Sequence, residues 1–238
     1  MRQFKLDNRL QTCADFITAG AKIADIGTDH AYLPIWLVMN NKIKSAVASD
    51  LNILPLKKAE ENLKKYNVED NIKIVQSDGL TRINPHEVDE IVIAGMGGEL
   101  ISQIIDGASW VKKEKKRLIL QPVSSESDLR IYLRDNKFKL QRERAVLSFG
   151  RIYTVFSAIY TGKFNKTEIE YPYVGKLYEE INKTSVEYLK RQIKDLENQN
   201  KGNLLRKNKE DYFSNLCIIK RIKKIISDFG GENFERES

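Results

Sequence analysis

The sequence predicts an α/β protein, a doubly wound sheet that ends in an antiparallel β-hairpin and is followed by a small all-α helical hairpin. Three observations predict it. Short apolar runs at 22–26, 46–49, 72–76, 90–94 and 117–121 alternate with helical stretches near 33–40, 53–66, 98–107 and 126–136. Such strands, separated by helices, make a parallel sheet covered on both faces. After residue 136 the rhythm changes to two strands, 138–147 and 152–160, joined through Ser148-Phe149-Gly150-Arg151 as a hairpin. Beyond Pro172 the pattern turns helical and glycine becomes scarce.

Taken in order, residues 7–18 read as a short amphipathic helix with Leu6, Leu10, Cys13, Ala14 and Ile17 on one face. The sheet and its hairpin follow. The polar stretch Thr161-Gly162-Lys163-Phe164-Asn165-Lys166 marks a boundary, dividing the chain into 1–162 and 163–238. In the second part Val186, Leu189, Ile193 and Leu196 recur at helical spacing, 198–203 with Gly202 breaks the pattern, and Tyr212, Leu216, Ile219 and Ile226 resume it. Two helices joined by a polar turn form an antiparallel, coiled-coil-like hairpin. The tail after Phe229-Gly230-Gly231 is expected to fray.

With 238 residues the chain can bury one large core and a smaller one. No apolar run approaches the ~20 residues of a membrane span, and Met1–Asp7 lacks the apolar core of a signal peptide. Cys13 and Cys217 have neither disulfide-framework nor metal-ligand spacing. A cytoplasmic protein without a metal or an obligate protein partner is expected. The net charge of +7 is spread over both parts, 16 Lys and Arg against 13 Asp and Glu in 163–238 and 24 against 20 before it. Either part can face a polyanion, or simply present a solvated basic surface.

The chemistry concentrates at strand ends. Lys22-Ile23-Ala24-Asp25-Ile26-Gly27-Thr28-Asp29-His30 is an apolar strand that ends in an acid, turns at a glycine and meets a second acid. A dinucleotide site wants Gly-x-Gly-x-x-Gly so that a pyrophosphate can rest on the helix N-terminus; here only Gly27 is present, and Asp29 repels phosphate. A phosphate-free nucleoside cofactor with a cationic sulfonium fits better, which is S-adenosylmethionine. The same residues also make a plain strand-to-helix turn with an acidic cap. Three further strand ends shift the balance. Asp50 with Leu51 stands where a carboxylate takes both ribose hydroxyls. Gln76-Ser77-Asp78-Gly79-Leu80 offers an acid to an adenine amine. Gly95-Met96-Gly97-Gly98 lets backbone carbonyls approach an ammonium.

The runs Lys5-Leu6, Arg9-Leu10-Gln11-Thr12, Ala24-Asp25-Ile26-Gly27-Thr28-Asp29-His30-Ala31-Tyr32-Leu33-Pro34, Asp78-Gly79-Leu80, Ile93-Ala94-Gly95-Met96-Gly97-Gly98 and Leu118-Ile119-Leu120-Gln121-Pro122 resemble the TrmK family of bacterial tRNA methyltransferases. The resemblance spans nearly the whole chain. It implies a class I methyltransferase, Rossmann-like sheet and transfer of a methyl group from S-adenosylmethionine to N1 of adenine at tRNA position 22, leaving S-adenosylhomocysteine. Serine is common in the family where Thr28 stands, and glutamate where Asp50 stands. Both residues present keep the hydrogen-bonding function. The resemblance and the residue chemistry both point to Asp29 as the catalytic group, accepting from the exocyclic amine of the base and offsetting the charge that develops on it; the alternative is a helix cap. The expected cofactor cradle is Asp25, Gly27, Thr28, His30, Asp50, Leu51, Ser77, Asp78, Gly79, Gly95, Met96 and Gly97.

Tyr32 either stacks on an extruded base or packs at its helix start. Arg9, Gln121 and Pro122 are further expected substrate contacts, as are Lys190, Arg191, Lys220, Arg221 and Lys224, which belong to basic clusters that read together as a phosphate footprint. No Asp/Asn-Pro-Pro-Tyr/Phe run accompanies the fourth strand, which argues against exocyclic-nitrogen methylation, and no cysteine is placed for covalent C5 chemistry. Three rivals stay open: a nicotinamide oxidoreductase, a non-catalytic RNA-binding protein on this fold, and a methyltransferase for another RNA or a small molecule.

Overall fold

The computed structural model describes residues 4–113 and 115–234, the last five of these as backbone alone. In chain order the elements are α1 (Asn8–Phe16), β1 (Ala21–Ile26), α2 (Tyr32–Met39), β2 (Ile43–Asp50), α3 (Ile53–Tyr66), β3 (Ile72–Gln76), β4 (Glu90–Gly97), α4 (Gly98–Asp106), α5 (Trp110–Lys113), β5 (Arg117–Ser124), α6 (Glu126–Asp135), β6 (Phe138–Ser148), β7 (Arg151–Tyr160), α7 (Tyr171–Val174), α8 (Lys183–Leu205) and α9 (Lys209–Phe234). The sheet order is β3-β2-β1-β4-β5-β7-β6. β1 to β5 are parallel, and β7 and β6 close the sheet antiparallel.

Period-2 alternation divides the core between two faces. Ile23, Val92, Ile119 and Val155 point to one side, under α1, α2 and α3. Ala24, Ile91, Ile93, Leu118, Leu120 and Phe156 point to the other, under α4 and α6. The strand order reverses between β1 and β4, so their carboxyl ends open a crevice there.

The chain after residue 160 builds a third apolar cluster, in which Ala145 of β6 meets Val174, Leu177, Tyr188, Leu189 and the α8/α9 seam. A buried ion pair fastens it. Arg130 of α6 and Glu143 of β6 have fully buried side chains, 2.6 Å apart. Arg130 also donates to the Pro172 carbonyl (2.6 Å) and the Tyr188 hydroxyl (3.1 Å), and the Lys176 N–H donates to Glu143 at 2.9 Å. Gly175 (φ +54°) passes so close to this pair that a Cβ would collide with both side chains.

Four local expectations change. The turn of the β-hairpin is two residues, not four, because Ser148 pairs with Arg151. α8 runs through 198–203 and Gly202 to Leu205. The break fails there because buried Asn200 satisfies itself sideways, accepting from Asn215 at 3.0 Å and donating to the Tyr212 carbonyl at 3.3 Å. On α9 the seam is Asn215, Ile218, Ile219 and Ile222, while Leu216 is exposed and Tyr212 only partly covered. Finally, α9 continues through Gly230-Gly231 to Phe234; the last four residues lie outside those described.

Candidate active site

The turn after β1 is built on three residues with positive φ. Gly27 takes φ +72°, and a Cβ there would strike the methyl group of Met96, so β1 and β4 close on each other across this glycine. His30 (φ 62°) and Ala31 (φ 60°) are both left-handed, a conformation that costs non-glycine residues on the order of 1 kcal/mol each. Asn62, buried on the inner face of α3, donates to the His30 carbonyl at 3.0 Å and holds the turn. The turn leaves the Asp29 side chain 84% exposed, with His30 Nε2 3.3 Å from its Oδ1. His30 in turn meets the edge of Tyr32, which packs on Phe4.

The neighbouring strand ends are locked to this turn. The Gly27 and Thr28 N–H groups both donate to the Ser49 carbonyl, at 2.8 and 2.9 Å, and the Ser77 N–H donates to the Asp50 carbonyl at 3.0 Å. Asp25 is buried and accepts from the Thr28 hydroxyl at 2.5 Å. Burial pushes its carboxyl up to about 6, against the opposing pull of that hydrogen bond. Asp50 is half-buried, its carboxylate accepting from the Asn52 N–H at 2.7 Å. Leu51 and Asp78 are exposed beside it. Gly95 (φ +78°) bulges from the β4 ladder into open space, and Gly97 leads into α4 against the Ser124 hydroxyl.

This cradle suits a phosphate-free nucleoside and refuses a dinucleotide. Two amides of the turn are used inside it: Asp29 N–H donates to Gly27 (2.8 Å) and Ala31 N–H to Thr28 (2.7 Å). The exposed Asp29 carboxylate stands ahead of them and repels phosphate.

Several expected contacts take other roles. Gln121 and Pro122 are buried rather than presented at the surface. Gln121 instead accepts from the Gly95 N–H at 3.1 Å and from Arg9 at 3.4 Å, and so shapes the glycine loop from behind. Arg9 is tied to Asp7 at 3.0 Å and lies over Tyr153. The buried Ser77 hydroxyl serves its own loop, donating to the Gly79 carbonyl at 3.0 Å and accepting from the Arg82 N–H. Arg191 donates to the Ile152 carbonyl and faces Glu126 at 3.6 Å, and Arg221 pairs with Glu168 (2.6 Å) and Glu170 (3.1 Å). Lys190, Lys220 and Lys224 are exposed on the helical hairpin. Asn62 was the contributor the sequence did not flag; its one signal is a polar residue within the apolar stripe of Leu56, Ala59 and Leu63. Among the described residues, no group of three or more His, Cys, Asp or Glu side chains could hold a metal, and no helix is long and apolar enough to cross a membrane.

Residues 6–156 match the methyltransferase-domain family. The curated tRNA (adenine(22)-N(1))-methyltransferase of Bacillus subtilis is 39% identical over 158 residues, a stretch that spans 66% of each chain. Among solved structures, B. subtilis TrmK, described as an m1A22 tRNA methyltransferase, superposes with a TM-score of 0.82 at 30% identity, covering 94% of this chain and all of that one. M. capricolum TrmK in complex with S-adenosylhomocysteine superposes with a TM-score of 0.77 at 28% identity, covering 94% of this chain and 99% of that one.

Proposed function

The chain belongs to the methyltransferase-domain family and, within it, to the TrmK family, and on that premise we propose that it transfers a methyl group from S-adenosylmethionine to N1 of adenine 22 of tRNA, giving 1-methyladenosine. The observation that carries this reading is the exposed Asp29 carboxylate, presented by a strained turn at the rim of a cradle that refuses phosphate.

S-adenosylmethionine supplies an electrophilic methyl group on a sulfonium. Asp50 takes the ribose hydroxyls, Asp78 the adenine amine, and the Gly95-Met96-Gly97 backbone the ammonium, while Gly27 lets the turn close over the centre. Thr28, His30, Leu51 and Gly79 line the cradle, and Asp25, behind the turn, fixes it through Thr28. The attacking N1 carries no proton to remove. Asp29 therefore works by accepting from the exocyclic amine of the target, aligning N1, and stabilising the cationic product, with His30 holding the carboxylate in place. The helical hairpin of 163–238 serves as the tRNA-binding arm through Lys190, Lys220 and Lys224. The cytoplasm is the compartment this substrate implies.

The test is methyl transfer from labelled S-adenosylmethionine to two unmodified transcripts, one with adenine and one with guanine at position 22, followed by nucleoside analysis. 1-Methyladenosine in the adenine transcript alone is expected. Equal labelling of both transcripts, or cofactor binding without transfer, refutes the reading.

A further inference from the structure

The β6–β7 turn breaks a local rule above the carboxyl edge of the sheet. Phe149 and Gly150 are its two loop residues, with φ of 48° and 74°. Positive φ at both positions is the type I′ pattern, which favours Asn-Gly; a bulky aromatic in the first position is strained. Phe149 gains nothing from packing in return. The residue is 83% exposed, no ring packs on it among the described residues, and Leu147, two residues before it, is 48% exposed.

The turn is also braced. The Asn8 side-chain amide donates to the Leu147 carbonyl at 2.8 Å on one flank, and Arg191 of α8 donates to the Ile152 carbonyl at 3.3 Å on the other. Below it Arg9 lies 5.3 Å from the centre of the Tyr153 ring. The register fixes its height. Leu120 of β5 pairs with Phe156, so Ser124, where β5 ends, is level with Ile152. The Phe149-Gly150 turn stands two to three residues beyond Ser124, and five to six beyond the level of Gly27 and Asp50, whose strands pair through Ile93 to Leu120; it overhangs that cradle edge by about 18 Å. Between β4 and β7 lies only β5, so the overhang is about 10 Å to the side of the glycine loop.

N1 lies on the Watson–Crick edge of adenine, so a paired target must leave its stack before it reacts. We propose that Phe149 is an RNA wedge: its ring stacks on the base next to the target and fills the space the adenine leaves. Aromatic stacking accepts any base. The surroundings suit a polyanion, with Arg151 exposed at the turn and Lys190 and Lys194 exposed on either side of the Arg191 anchor. The inference rests on the proposed tRNA substrate.

Phe149→Asn separates function from fold, because asparagine suits this turn better than phenylalanine. The variant is expected to melt at or above the wild-type temperature and to keep its cofactor affinity. Its kcat/KM on the tRNA transcript should fall about ten- to a hundredfold, with Phe149→Trp restoring most of the loss. The deficit should shrink on a transcript in which the target adenine faces a mismatch and is already unpaired. Wild-type kcat/KM in Phe149→Asn overturns the proposal, as does an equal deficit on the mismatched transcript. A deficit that tracks loss of a dimer in sedimentation also overturns it, in favour of a contact between copies of this chain. Absence of transfer by the wild-type protein overturns the substrate reading and this one with it; normal wild-type transfer with an unimpaired variant overturns this one alone.

Discussion

Glu143→Ala tests what holds the helical region to the sheet. The substitution removes the acceptor of two Arg130 bonds, at 3.1 and 2.6 Å, and of the Lys176 N–H. Arg130 keeps the Pro172 carbonyl and the Tyr188 hydroxyl but loses its counter-charge inside a site with no solvent access. Breaking one side of a buried pair costs about 3–5 kcal/mol, and the orphaned Lys176 amide adds about 1 kcal/mol or more. Water entering the vacated space recovers part of this, leaving a loss of about 4 kcal/mol. For a chain of this length each kcal/mol lowers Tm by about 2–4 °C, so a fall of about 8–16 °C is expected in calorimetry. The double variant Arg130→Met with Glu143→Leu should recover most of it, since no charge is left buried. A Glu143→Ala protein within about 1 kcal/mol of wild type in urea melts would refute the argument, and so would a double variant weaker than the single one.

Four further outcomes follow, three from the site and one from the helical hairpin. Asp25 binds its proton more tightly when folded than unfolded, so its contribution to stability is present below about pH 4 and is lost as pH rises to about 6. Asp25→Asn, which does not titrate, should therefore gain on wild type by up to about 3 kcal/mol across that window; a Tm difference that is flat from pH 4 to 7.5 would count against a buried, titrating carboxyl. Asp29→Asn should lower kcat by about a hundredfold or more with little change in cofactor Kd, whereas Asp50→Ala should raise the cofactor Kd about tenfold or more. Isothermal titration and single-turnover assays separate the two, and full activity in Asp29→Asn removes its assigned role. Replacing Lys190, Lys220 and Lys224 together by alanine should weaken tRNA binding and reduce its salt slope by roughly two units; an unchanged slope means that face does not meet phosphate.

The strands were legible because buried parallel strands are short apolar runs with turn residues at their ends, and the carboxyl ends of β1 to β4 were where their acids and glycines pointed. What escaped the sequence depends on contacts between distant residues. Nothing near Glu143 in an amphipathic strand announces Arg130, and nothing near Gln121 announces that its amide binds a loop 26 residues away. The left-handed pair His30-Ala31 has no glycine to betray it; Asn62 and the packed turn impose it. The α9 seam was misphased because Tyr212 and Leu216 are apolar at helical spacing, while the polar Asn215 is the residue that faces Asn200.

The buried pair also sets an order on synthesis. All seven strands are complete at Tyr160, but Pro172, Lys176 and Tyr188, which share in enclosing Arg130 and Glu143, leave the ribosome later. At 5–20 residues per second, the interval from residue 160 to 188 is on the order of a few seconds. Throughout it the nascent sheet carries two half-satisfied charges and an uncovered apolar face at β6. A truncated chain that stopped there would keep every residue of the methyl-transfer crevice and still lack its final stability. The fold thus ties release of a durable catalyst to completion of the arm proposed to bring it its RNA.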